Sequence, residues 1–90
     1  MLRISSEFTV REIAGEYVVV ATGHMAVAFR GMITVSESAA ELWKLLQKGA
    51  EETDLVSYLT ETYEITDAEA SADVREMLDI LRQNGILIEE

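Results

Sequence analysis

Between residues 26 and 46 the chain reads AVAFRGMITVSESAAELWKLL, and its hydrophobic period changes partway along. From Val27 to Val35 the large apolar residues fall on odd numbers (Val27, Phe29, Ile33, Val35), as in a strand with one buried face. From Ala39 they fall at Ala39, Leu42, Trp43 and Leu46, the i, i+3, i+4, i+7 spacing of a helix. Ser36 stands at the change, where its hydroxyl can accept from the free N–H groups that open a helix; Ser38 with Glu41 offers an alternative capping box. One strand therefore runs directly into one helix over a shared core.

The chain before this unit reads as two more strands. Residues 1–7 are a frayed lead-in to a single domain covering 1–90. Phe8 to Ile13 is the first strand, with Ile13 breaking its parity at a bulge or at the strand end. Ala14-Gly15-Glu16 turns the chain into Tyr17–Ala21, three successive β-branched residues between Tyr and Ala. Short Gly-containing connections make the three strands an antiparallel meander, with 8–13 and 26–35 at its edges.

After the unit the pattern is helical. The first helix stops at Gly49, placed as a C′ residue. A second, from about Glu52 to Tyr63, carries Leu55, Val56, Leu59 and Tyr63 on one face. Thr66-Asp67-Ala68-Glu69 caps a third, whose stripe is Ala70, Val74, Met77, Leu78 and Leu81, and which closes at Asn84-Gly85 with Ile86 and Leu87 folding back. The fold class is α+β: a three-stranded antiparallel sheet followed by three helices, a winged-helix-like order.

Composition excludes several functions. With 49% hydrophobic and 27% charged residues the chain is globular, and ninety residues suffice for one modest core. The absence of cysteine removes disulfides and thiolate metal sites. No signal peptide or membrane-length apolar run is visible, so the expected location is cytoplasmic, without membrane association. A net charge of −10 repels phosphate backbones and argues against nucleic acid. The lone histidine, His24, sits in a turn without a second ligand; no calcium loop, phosphate loop or nucleophile–base pair can be assembled, so neither cofactor nor catalysis is expected.

Two surfaces invite a partner. The strand 26–35 alternates over its length, has no proline and carries one charge, Arg30, so its edge is poorly protected. Either it receives another strand, or a second copy of the chain or the N-terminal residues cover it. On the third helix, Ser71, Arg75, Leu78 and Arg82 lie to one side of the Val74 stripe, and Asp73, Met77, Ile80 and Asn84 to the other. Ile80 is an apolar residue that the core does not require. Arg75 with Asp79, and Arg82 at the helix end, also have purely local explanations. The sequence leaves open which flank faces the strand.

Gly31-Met32-Ile33-Thr34-Val35-Ser36-Glu37-Ser38-Ala39-Ala40, followed by Leu42-Trp43-Lys44-Leu45-Leu46, resembles the strand, N-E-T-G/A-A and W-x-L-L run of PqqD-like proteins, the RiPP recognition elements. Gly49, Leu55-Val56, Leu59 and Tyr63 fit the same pattern, as does the closing Asp73-Val74, Leu78, Leu81 and Gly85-Ile86-Leu87. Ser36 departs from the family's usual Asn but keeps the capping chemistry. The resemblance implies a non-catalytic peptide chaperone. It would add the leader segment of a ribosomally made precursor as a further strand beside the third strand, and present it to a radical-SAM or other modifying enzyme, as in pyrroloquinoline quinone (PQQ) synthesis. Carried over, the expected peptide-binding residues are Val27, Ala28, Phe29, Arg30, Gly31, Met32 and Ile33 on the strand, with Arg75, Met77, Leu78 and Arg82 on the helix. A winged-helix nucleic-acid binder and a structural homodimer are the competing readings.

Overall fold

A computed structural model of the chain describes residues 1–22 and 33–89. The elements are β1 (Leu2–Ile4), β2 (Phe8–Ile13), β3 (Glu16–Ala21), β4 (Ile33–Val35), α1 (Glu37–Lys48), α2 (Glu52–Thr62), α3 (Asp67–Gln83) and β5 (Leu87–Glu89). Strands β2, β3 and β4 form the expected antiparallel sheet in that order, and the three helices follow it. The α+β architecture is as read from the sequence.

The hairpin β2–β3 keeps an unbroken register from Phe8↔Ala21 to Ile13↔Glu16. No bulge is needed at Ile13, which simply reaches solvent at the hairpin end (53% exposed). The two linking residues, Ala14 and Gly15, both have positive φ (53° and 82°), the geometry of a type I′ turn whose twist suits paired strands. The chain tolerates Ala in the left-handed region at position 14, which glycine content alone does not reveal.

The lead-in is a strand, contrary to its reading as frayed. β1 pairs antiparallel with β5 (Leu2↔Glu89, Arg3↔Ile88, Ile4↔Leu87). Leu2 also exchanges backbone bonds with Ala50, at 2.8 and 2.9 Å, which ties β1 to the link between α1 and α2. Gly49 permits that approach: its φ is 92°, and a Cβ there would lie 2.6 Å from Met1 Sδ. Ile4 is buried in the common core.

That core collects Phe8 and Val19 from the sheet, Leu42, Trp43 and Leu46 from α1, Leu55 and Leu59 from α2, and Ala70, Val74, Leu78 and Leu81 from α3, with Ile86 behind them. The helix ends follow local chemistry. Ser36 accepts from Ala39 N at 3.1 Å, while Ser38 contacts Ser36 rather than forming its own box. Thr66 accepts from Glu69 N at 3.1 Å, and Glu51 N donates to Asp54 Oδ2 at 2.9 Å. Gly85, at φ 69°, lets Ile86 N return to Leu81 O at 2.9 Å, closing α3 over a fully buried Ile86.

Glu41, on α1, accepts hydrogen bonds from the hydroxyls of both Tyr58 and Tyr63, which clamps α2 against α1. These bonds, Tyr58's first, hold the Glu41 carboxyl below the usual range. The same carboxylate, first through its hydrogen bond and then with burial, pushes the Tyr63 phenol up from 10.0 to about 12. The stabilisation from Glu41 is therefore present above the ordinary carboxylate range and lost as pH falls below it. That from Tyr63 is complete below the ordinary tyrosine range and lost as pH climbs toward about 12.

Two outcomes test this account. Ile4→Ala should cost about 2–4 kcal/mol in urea unfolding, the range for truncating a buried Ile; a frayed lead-in would give a change near zero. In Glu41→Gln the phenol titration of Tyr63, followed by NMR, should move back from about 12 toward the ordinary tyrosine value.

Candidate functional site

Among the described residues β4 pairs on one side only, with β3 (Tyr17↔Val35, Val18↔Thr34, Val19↔Ile33). Its other side borders a cleft of about 350 Å³. The chain direction explains the placement: β4 runs into α1 through the Ser36 cap, so strand and helix share one wall. Ile33, Thr34 and Val35 supply the strand side, Ser38, Ala39 and Leu42 the near end of α1, and Leu59 of α2 the floor. The facing wall is α3, through Asp73, Glu76, Met77, Ile80 and Leu81.

These five residues are spaced 0, 3, 4, 7 and 8 along α3 and so occupy one flank. The flank left undecided by the helical wheel is thus the one bearing Asp73, Met77 and Ile80. Leu42, Leu59 and Leu81 are nearly inaccessible and form a rigid base, whereas Ile80 remains 40% exposed. An apolar side chain that the core does not use therefore projects from the wall. The charged residues at the cleft are both acidic, Asp73 and Glu76, and no Lys, Arg or His lines it among the described residues.

The expected site residues divide accordingly. Ile33 and Met77 both line the cleft, one on each wall. Arg75, Leu78 and Arg82 lie on the opposite flank of α3, beside Leu2, Glu51, Glu52, Asp79 and Glu89. There Leu78 is buried in the core. Arg75 approaches Glu52 at 4.0 Å. Arg82 donates to Asp79 Oδ1 at 2.8 Å and, through Nε at 3.2 Å, to Glu89 Oε1. Val27, Ala28, Phe29, Arg30, Gly31 and Met32, with His24 and the start of the strand at 26, lie outside the described residues.

Sequence reasoning passed over Glu76 and Leu81 as cleft residues. The sequence pattern places Leu81 in the core stripe and assigns Glu76 no role. The available signal was the 100° step, which puts both within one turn of Ile80. A larger hollow of about 420 Å³ lies between the hairpin and α1, but Glu12, Glu37, Glu41, Lys44 and Gln47 make its lining mainly polar. It does not offer the apolar floor that peptide pockets use. No cluster of metal-ligating side chains occurs among the described residues, and no helix there is long and apolar enough to cross a membrane.

The Arg82 arrangement predicts a structural effect. Arg82→Ala should speed amide exchange in Leu87–Glu89 while lowering global stability only slightly, because the pairs it removes are solvent-accessible.

Comparison with known proteins gives three findings. The family model for coenzyme PQQ synthesis protein D (PqqD) matches residues 16–87. No curated protein matches the chain. Two solved structures share the fold: a lasso peptide synthetase B1 complexed with the leader peptide (TM-score 0.76, 20% identity, 98% of each chain covered) and TbiB1 in complex with the TbiA(beta) leader peptide (TM-score 0.75, 18% identity, 98% of this chain and 96% of that one).

Proposed function

The chain belongs to the PqqD family, and on that premise we propose that it is a peptide-binding adaptor, which takes up the leader segment of a ribosomally made precursor by strand addition at β4. The observation that carries the reading is the cleft itself: a strand with one unpaired side among the described residues, an apolar floor, and a helical wall on which Ile80 stands exposed. Both fold relatives are complexes with leader peptides.

The mechanism needs no reactive group. An extended guest beside β4 satisfies the strand's outward N–H and C=O groups, each bond contributing about 0.5–1.5 kcal/mol net. Alternate guest side chains then reach α3, where Met77, Ile80 and Leu81 receive apolar anchors. Anchor burial at about 25 cal/mol per Å² outweighs what exposed ion pairs contribute, so the apolar wall dominates affinity. The chain holds the leader and presents the remainder of the precursor to a modifying enzyme, of radical-SAM type or another, while contributing no bond-making step. Nucleic acid is disfavoured because net charge is −10 and the charged residues at the cleft are acidic.

The test uses a synthetic leader segment of a ribosomally made precursor. Its addition should shift amide NMR signals of Ile33–Val35 and of the Asp73–Leu81 flank, and Ile80→Arg should weaken binding roughly ten- to a hundredfold with the fold intact, as expected for losing one apolar anchor. Shifts confined to the Arg75/Arg82 flank would overturn the assignment.

A further inference from the structure

Resting on the leader-binding reading, we infer that the cleft selects guests carrying a lysine or arginine close in sequence to a large apolar residue. The wall of α3 is divided along its length. Asp73 and Glu76 stand toward its N-terminal end; Met77 and Ile80 follow. The midpoint of the acidic pair lies about 6 Å along the helix from that of Met77 and Ile80, at 1.5 Å rise per residue. One same-face step of an extended guest covers about 6.6 Å, so a guest lying along the wall offers one side chain to each half.

The charge at the wall is uncompensated by the chain's own cations among the described residues. Arg75 and Arg82 face Glu52, Asp79 and Glu89 on the other flank. Lys44 lines the separate hollow against the hairpin. Among the described residues, neither Asp73 nor Glu76 has an ion pair or side-chain hydrogen bond like those that occupy Glu41 or Glu89. A cationic guest side chain would supply the missing counter-charge beside an apolar anchor point, whereas an acidic one would meet repulsion from both carboxylates and from the net charge of −10. The site is the cleft; the carboxylates decide which guest it prefers.

Random twelve-residue peptides displayed on phage and selected against the full chain provide the test. The expected result is enrichment of Lys or Arg two positions from a large apolar residue. A synthetic peptide from that pool should bind about three- to thirtyfold more weakly to the Asp73→Asn/Glu76→Gln double variant, the loss expected for two accessible ion pairs. Its affinity should also fall as salt rises from about 50 to 500 mM. The Glu52→Gln/Asp79→Asn variant, which removes the same charge from the opposite flank, should change binding less than about twofold. Peptides that lose binding on Ile80→Arg yet show no cationic enrichment, and ignore the Asp73/Glu76 change, would overturn this inference and leave leader binding standing. A pool whose binding is indifferent to Ile80→Arg would overturn both.

Discussion

The flank of β4 that no described strand pairs is the constraint around which the rest of the structure is arranged. A strand edge carries donors and acceptors that must find partners in water, in protein or in a guest. Most proteins blunt such an edge with charge, proline or a bulge. Here Ile33, Thr34 and Val35 carry none of these, and α3 stands opposite with an apolar flank. Edge and wall together make a slot suited to extended backbone.

The rigidity of that slot comes from residues with two duties. Leu42, Leu59 and Leu81 are core side chains whose outer surfaces form the cleft floor. Their positions depend on the docking of α2 and α3, which the Glu41–Tyr58–Tyr63 clamp fixes on one side and the β1–β5 ribbon on the other. A preformed slot lowers the ordering cost of binding on the protein side, so the guest's own entropy is the main cost that remains.

Much of this was legible in the chain because its signals are local. Ser36 caps α1, Gly49 ends it, and Asn84-Gly85 closes α3, since each depends on chemistry within four residues. The period change near Ser36 likewise identified the strand that enters α1. What failed to show had distant causes. β1 is three residues long, and its partner β5 lies more than eighty residues away, so no local pattern announces their pairing. The wheel of α3 separated Ile80 from Arg75 and Arg82, but the packing of α3 against α2 and β5 decides which flank turns toward the cleft. Arginines draw the eye on an acidic protein; here they serve intramolecular carboxylates instead.

Balance between holding and releasing a guest follows from the same geometry. Main-chain bonds to a short strand contribute little individually, and they are indifferent to sequence. Discrimination must then come from the few side chains that reach α3, which present one apolar patch and two carboxylates rather than a deep enclosed pocket. Under the proposed role, such a surface would give moderate affinity with fast exchange, since a guest could leave by unzipping from an open edge without unfolding the host. An adaptor that must surrender its cargo to a second protein is better served by that arrangement than by a buried site whose opening would cost part of the core.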